Sequence, residues 1–285
     1  MDYSSKGKKP DVPQALDGLK KLQQDFTVAA DENRRKADAL GHAVKALEQA
    51  QQREQAQEDA RYRARIAESA AYLKGLMAHE KKPHEFAVYI DHTGIITQKP
   101  FYAALDGAAV LTQATGAKVS LWGSADDVRP VTSDILDPAV RAGFEKKGAS
   151  SDFKPVVDDM VKTAALNQLN GKPTHFVVIG DGEFADYPAA KAQLEKLLKG
   201  RYRATIDFVI LGRAGTGMEF LSEQLAKDFP GRVKHHLVNG PAYWQGTEGD
   251  LSKATQETIT AAATDRVIAP KPAAQPAPAA KPPTP

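Results

Sequence analysis

Hydrophobic and polar positions change rhythm twice along this chain. From residue 14 to about residue 80 there is no proline and little glycine, and the good helix formers Ala, Gln, Glu, Lys, Arg and Leu dominate. Within that stretch Ala37, Leu40, Val44 and Leu47 follow a seven-residue a/d rhythm, and Leu16, Leu19 and Phe26 suggest an earlier part of it. The rhythm fails over residues 48–65, EQAQQREQAQEDARYRAR, which are polar on every face. Apolar character returns at Ile66, Tyr72, Leu73, Leu76 and Met77. A helix this polar in its middle is not buried along its length. It either extends into solvent as a stalk or pairs with another copy as a coiled coil, and the pattern leaves both readings open.

From residue 86 to about residue 238 short apolar runs alternate with helical periodicities. The first stretch, FAVYIDHTGIIT at residues 86–97, opens with a continuous apolar run that leads into Asp91, as in a strand buried on both faces of a parallel sheet. Phe101, Leu105, Ala108 and Leu111 then share a helical face that Gly116 closes. KVSLW at 118–122 reads as a strand with a short neighbour at 128–131. Phe153, Val157, Met160, Val161 and Ala164 mark a helix. HFVVI at 175–179 is a second buried strand, and Asp181 follows it. Ala190, Leu194, Leu197 and Leu198 form a helix ended by Gly200. IDFVIL at 206–211, a helix through Leu221, Leu225, Ala226 and Phe229, and a strand at 232–238 complete the alternation. The expected fold class is therefore α/β, with a Rossmann-like, mostly parallel sheet flanked by helices and preceded by a long N-terminal helical or coiled-coil region.

The expected organisation is a flexible tail at 1–13, a helical stalk at 14–82, the α/β domain at 83–240, a C-terminal helix at 241–268 and a Pro/Ala-rich disordered tail at 269–285. Leu251, Thr255, Thr258 and Ala262 share a face of the C-terminal helix, which has two possible seats, on the sheet domain or along the stalk. A net charge of +2 gives no field for nucleic acid, and the absence of cysteine excludes disulfides and thiolate chemistry. The opening MDYSSKGKKPD lacks a signal-peptide core and no apolar run reaches membrane-spanning length, so a cytoplasmic protein without membrane or nucleic-acid partners is expected.

Oxygen-bearing side chains gather in three loops: Asp91-His92-Thr93-Gly94, Gly148-Ala149-Ser150-Ser151-Asp152 and Gly180-Asp181-Gly182-Glu183. In open α/β sheets such loops meet beyond the carboxyl ends of the strands. Carboxylates and hydroxyls without sulfur suit a hard cation such as Mg²⁺. Plainer readings exist for each loop: Asp91 and Thr93 as turn residues, Ser151 and Asp152 as helix-start residues, Asp181-Gly182 as a turn dipeptide.

The order of these elements and motifs resembles the von Willebrand factor A (VWA) domain over residues 86–238. The likeness lies in a strand ending in D-x-T, the unit KVSLWGSADDVRPVT, the G-x-S-S-D-F loop, a strand ending in DGE and the closing unit TIDFVILGRAGTGMEFLSEQLAKDFPGRV. The resemblance implies a metal-ion-dependent adhesion site (MIDAS) with Asp91, Thr93, Ser151 and Asp181 as ligands of Mg²⁺, or Mn²⁺ as substitute. It also implies a non-enzymatic binding or scaffolding module that takes an acidic residue of a protein partner on the metal, and the stalk adds homo-oligomerisation. The sequence departs from the family at Ile95, where the second hydroxyl of D-x-S-x-S belongs. Two alternatives stand beside this. DHTG and GDGEFAD also resemble haloacid dehalogenase-like phosphatases, with Asp91 as the nucleophile and Asp181 and Asp186 holding Mg²⁺. The other is a purely structural oligomer whose metal site is lost. The chain contains no P-loop, no G-x-G-x-x-G after the first strand and no G-x-S-x-G elbow. His235 and His236, adjacent in a strand, face opposite sides and suit a structural role better than a shared metal.

Overall fold

An uninterrupted run of helix formers folds into one continuous helix, α1 (Val12–Ala78). The computed structural model describes residues 12–79, 84–93, 98–124, 127–144, 152–182, 186–212, 215–238 and 248–268. The chain divides into two compact units, residues 1–61 and 62–285. In the first unit every helical residue from 16 to 61 is exposed, Leu16, Leu19, Phe26, Leu40, Val44 and Leu47 among them. In the second unit the end of α1 is amphipathic: Ile66, Ala70 and Leu73 are buried and Leu76 and Met77 pack beside them, whereas Tyr72 falls off this stripe and is exposed.

The rest of the second unit is an α/β fold. Its strands are β1 (Glu85–Asp91), β2 (Lys118–Ser124), β3 (Asp127–Val131), β4 (Thr174–Gly180), β5 (Ala204–Leu211) and β6 (Val233–Val238). They form one sheet in the order β3-β2-β1-β4-β5-β6, parallel throughout except for the antiparallel β2–β3 pair. Pro130 lies in β3, opposite Ser120, and its missing N–H is tolerated because β3 is an edge strand. The helices are α2 (Gln98–Thr115), α3 (Pro138–Ala142), α4 (Lys154–Leu169), α5 (Tyr187–Lys199), α6 (Gly217–Asp228) and α7 (Glu248–Ile268).

Alternation along the strands builds two cores. Val88, Ile90, Val177, Ile179, Val209 and Leu211 face α2, α7 and the buried stripe of α1. Tyr89, Phe176, Val178, Ile206, Phe208 and Ile210 face α4, α5 and α6. The C-terminal helix thus takes the first of its two possible seats and packs on α2. At Gly107 the two helices lie so close that a Cβ would collide with the Ile259 side chain. The short helix α3 has no counterpart in the periodicity of the sequence. Asp137 caps it by accepting the Ala139 N–H at 2.8 Å. Arg141 then pairs with the buried Asp106, donates to the Ile135 carbonyl at 2.7 Å and lies over the Tyr62 and Tyr102 rings. In β6, His235 is exposed while His236 turns to the other face, 3.0 Å from Asp207.

Candidate functional site at the switch point of the sheet

After β1 the chain builds β2 and β3 on one side and then crosses to β4 on the other. The carboxyl ends of β1 and β4 therefore flank the point where strand order reverses, which is where open α/β sheets bind ligands. Asp91 is the last residue of β1 and Asp181 the first after β4. The register Ile90↔Ile179 sets Asp91 beside Gly180.

Asp91 is fully buried. Its Oδ1 accepts the Thr93 N–H at 2.8 Å, the bond of an Asx turn. Its Oδ2 and the Thr93 hydroxyl are buried, and neither completes a hydrogen bond among the described residues although the two groups lie close together. Burial first, and the facing Asp181 carboxylate second, push Asp91 up to about 7, against the opposing pull of the Thr93 N–H. Two glycines make room for this turn. A Cβ on Gly180 would stand 3.0 Å from the Asp91 Cβ, and one on Gly123 would stand 2.6 Å from the His92 carbonyl. The second crowding arises because β1 continues its ladder one residue further, the His92 N–H donating to the Trp122 carbonyl at 2.6 Å. His92 itself is buried and packs its ring, tilted by 33°, against Phe101 at 4.8 Å between centroids.

The structure thus brings Asp91, Thr93 and Asp181 together, while Ser151, Ile95 and Glu183 lie outside the described residues. Asp186 is engaged elsewhere. Its two oxygens accept the Phe153 and Lys154 N–H groups at 2.7 and 2.8 Å and so cap α4 from a separate loop. One residue without a conspicuous sequence signal borders the Asp181 turn. Thr216, just before α6, is buried, its hydroxyl has no partner among the described residues, and it lies against Gly182. Gly182 has φ +95° and its carbonyl accepts the Met218 N–H at 2.9 Å, which ties the Asp181 turn to the start of α6.

Among the described residues no group of three or more His, Cys, Asp or Glu side chains is placed to hold a metal. The donor set is two carboxylates and hydroxyls instead. Buried polar atoms without partners call for an explanation, and a facing carboxylate pair with an orphaned Oδ2 and hydroxyl fits a hard cation, which takes few carboxylates and keeps several waters.

The fold and this cluster define the class: an α/β protein with a mostly parallel six-stranded sheet and an acidic, hydroxyl-bearing site at its switch point. No protein-family model matches the chain, and no curated protein matches it. Among the described residues no helix is long and apolar enough to cross a membrane.

Proposed function

We propose that the second unit is a VWA-like binding module in which Mg²⁺, or Mn²⁺ in its place, accepts a carboxylate from a protein partner. Asp91, Thr93 and Asp181, with Ser151 from the loop before α4, are the ligands in this reading. The observation that carries it is the buried Asp91 Oδ2 and Thr93 hydroxyl, both without hydrogen-bond partners among the described residues, beside Asp181 at the switch point. The antiparallel edge strand β3 and the six-strand order support the same class. The cation supplies positive charge that offsets both carboxylates and the one the partner brings, so that pairing yields affinity rather than a desolvation penalty. The phosphatase reading calls on Asp186 as a further Mg²⁺ carboxylate. Both oxygens of Asp186 already accept N–H groups of α4, which favours the binding module.

Titration calorimetry with Mg²⁺ or Mn²⁺ tests the site. The wild type is expected to bind, and Asp181→Ala to weaken binding at least about tenfold through loss of one charged ligand. A wild type that releases no heat with either ion ends this reading.

We further propose that α1 joins copies of the chain. Because the helix is unbroken, Leu16 and Leu19 stand in the same heptad register as Leu40, Val44 and Leu47, and all five are exposed. A 67-residue helix whose residues 16–61 are all exposed gains stability by covering that seam with a second copy. Light scattering on the full chain is expected to give twice the 30.7 kDa protomer mass. The double substitution Leu40→Asp/Leu47→Asp should return it to the protomer. A wild type already at protomer mass at micromolar concentration contradicts the pairing.

A further inference from the structure

The residues Thr216-Gly217-Met218-Glu219 read T-x-x-E, the pattern of a capping box, in which the threonine hydroxyl accepts an N–H of the first helical turn and the glutamate reaches back. Only half of that box is built. Glu219 reaches back, to the Gly215 N–H, but the Thr216 hydroxyl makes no cap bond to its own helix. It is buried without a partner among the described residues and lies where a side chain on Gly182 would be. A threonine released from capping leaves a buried hydroxyl without a partner among the described residues, which calls for an explanation.

Its position supplies one. The turn Gly180-Asp181-Gly182 carries the Asp91 carboxylate against its first residue and the Thr216 hydroxyl against its last, with Asp181 between them. A Cβ would crowd the first contact and is excluded at the second. At Gly180 a Cβ would sit 3.3 Å from the Asp91 Oδ2, and at Gly182 it would overlap the Thr216 hydroxyl.

We propose that Thr216 is a further residue of the cation site, its hydroxyl hydrogen-bonding a water of the bound Mg²⁺. This rests on the binding-site reading above. A cation that keeps several waters can be held by hydroxyls one water away, and groups that orient such a shell typically change affinity 10- to 100-fold. The α6 start thereby joins the site through a loop that contributes no carboxylate.

The test uses the full chain with Mg²⁺ alone as the probe, comparing wild type, Thr216→Val and Thr216→Ser by calorimetry and by the melting temperature with and without Mg²⁺. Thr216→Val keeps the shape and removes the hydroxyl. It is expected to weaken Mg²⁺ about tenfold or more and to shrink the Mg²⁺-induced rise in melting temperature. Its metal-free melting temperature should stay equal to or above that of the wild type, because an orphaned buried hydroxyl has gone. Thr216→Ser should bind nearly as the wild type does. Wild-type affinity in Thr216→Val overturns the inference and leaves the binding site standing. Loss of affinity together with a lower metal-free melting temperature assigns Thr216 to packing and also overturns it. No Mg²⁺ binding by the wild type removes both readings together.

Discussion

Replacing Arg266 by methionine is expected to lower the unfolding free energy by about 3–5 kcal/mol, the usual consequence of removing one partner of a buried ion pair. Arg266 lies in the last turn of α7 and Asp207 in the middle of β5, and both are buried. The guanidinium Nε is 2.6 Å from the Asp207 Oδ2, while its other nitrogens donate to the carbonyls of Gly231 at 2.5 Å and Ile206 at 3.3 Å. His236 stands 3.0 Å from the remaining carboxylate oxygen. Methionine fills much of the arginine volume but leaves the buried Asp207 carboxylate without its guanidinium partner, with His236 still beside it. Urea unfolding monitored by circular dichroism measures the loss. Adding Asp207→Asn to Arg266→Met should recover a large part of it, since no uncompensated charge then remains. A single variant within about 1 kcal/mol of wild type would contradict the argument.

In metal-free buffer, Asp91→Asn protein should lose about 1.6 kcal/mol of stability as pH falls from 6.5 to 5, the slope rising toward about 1.36 kcal/mol per pH unit for one titrating group. The group responsible is His175 at the start of β4. Burial first, then the charges of His84 and Arg266, hold His175 down at about 3, against the opposing charge of Asp207. Its ring is held neutral between His84 and the Thr205 hydroxyl, each at 2.7 Å. A depressed folded pKa means that the unfolded chain takes up the proton first. The stabilising contribution is therefore complete above about 6.5 and disappears as pH falls toward about 3. Asp91 works in the opposite sense. Its folded value is raised to about 7, so its contribution is complete below the ordinary carboxyl range and is lost as pH rises through about 7. The two oppose each other in the wild type and flatten its curve, which is why the Asp91→Asn background exposes the histidine. His175→Phe added to that background should abolish the slope between pH 6.5 and 5. A slope that persists without His175 would assign the acid sensitivity elsewhere.

The lengths and types of most elements were legible in the residues because the interactions that set them are local. A strand buried on both faces shows as a continuous apolar run, and a helix shows as apolar positions three and four apart. FAVYID, HFVVI and IDFVIL became β1, β4 and β5 on that basis, and the alanine- and glutamine-rich stretch became α1. The helix α3 was not legible, since its five residues are too few to show a period and it is held in place by Asp137 and by Arg141 reaching Tyr62 and Asp106. Asp91, Thr93 and Asp181 were visible as candidates because acids at strand ends are conspicuous against apolar runs. Thr216 was not, because a T-x-x-E sequence at a helix start reads as a cap and nothing local shows that the hydroxyl leaves it.

By itself, then, the sequence determined the α/β class, the long helix with its exposed heptad seam and the strand-end carboxylates, all set by contacts between near neighbours along the chain. The tertiary structure decided what depends on residues far apart in sequence. The crossover to β4 set Asp91 beside Gly180 and Asp181. The packing of α7 on α2 carried Arg266 to Asp207. The paired glycines let Thr216 and Asp91 close on the same turn. Such encounters follow from strand order and helix seating, and no local pattern of side chains encodes them.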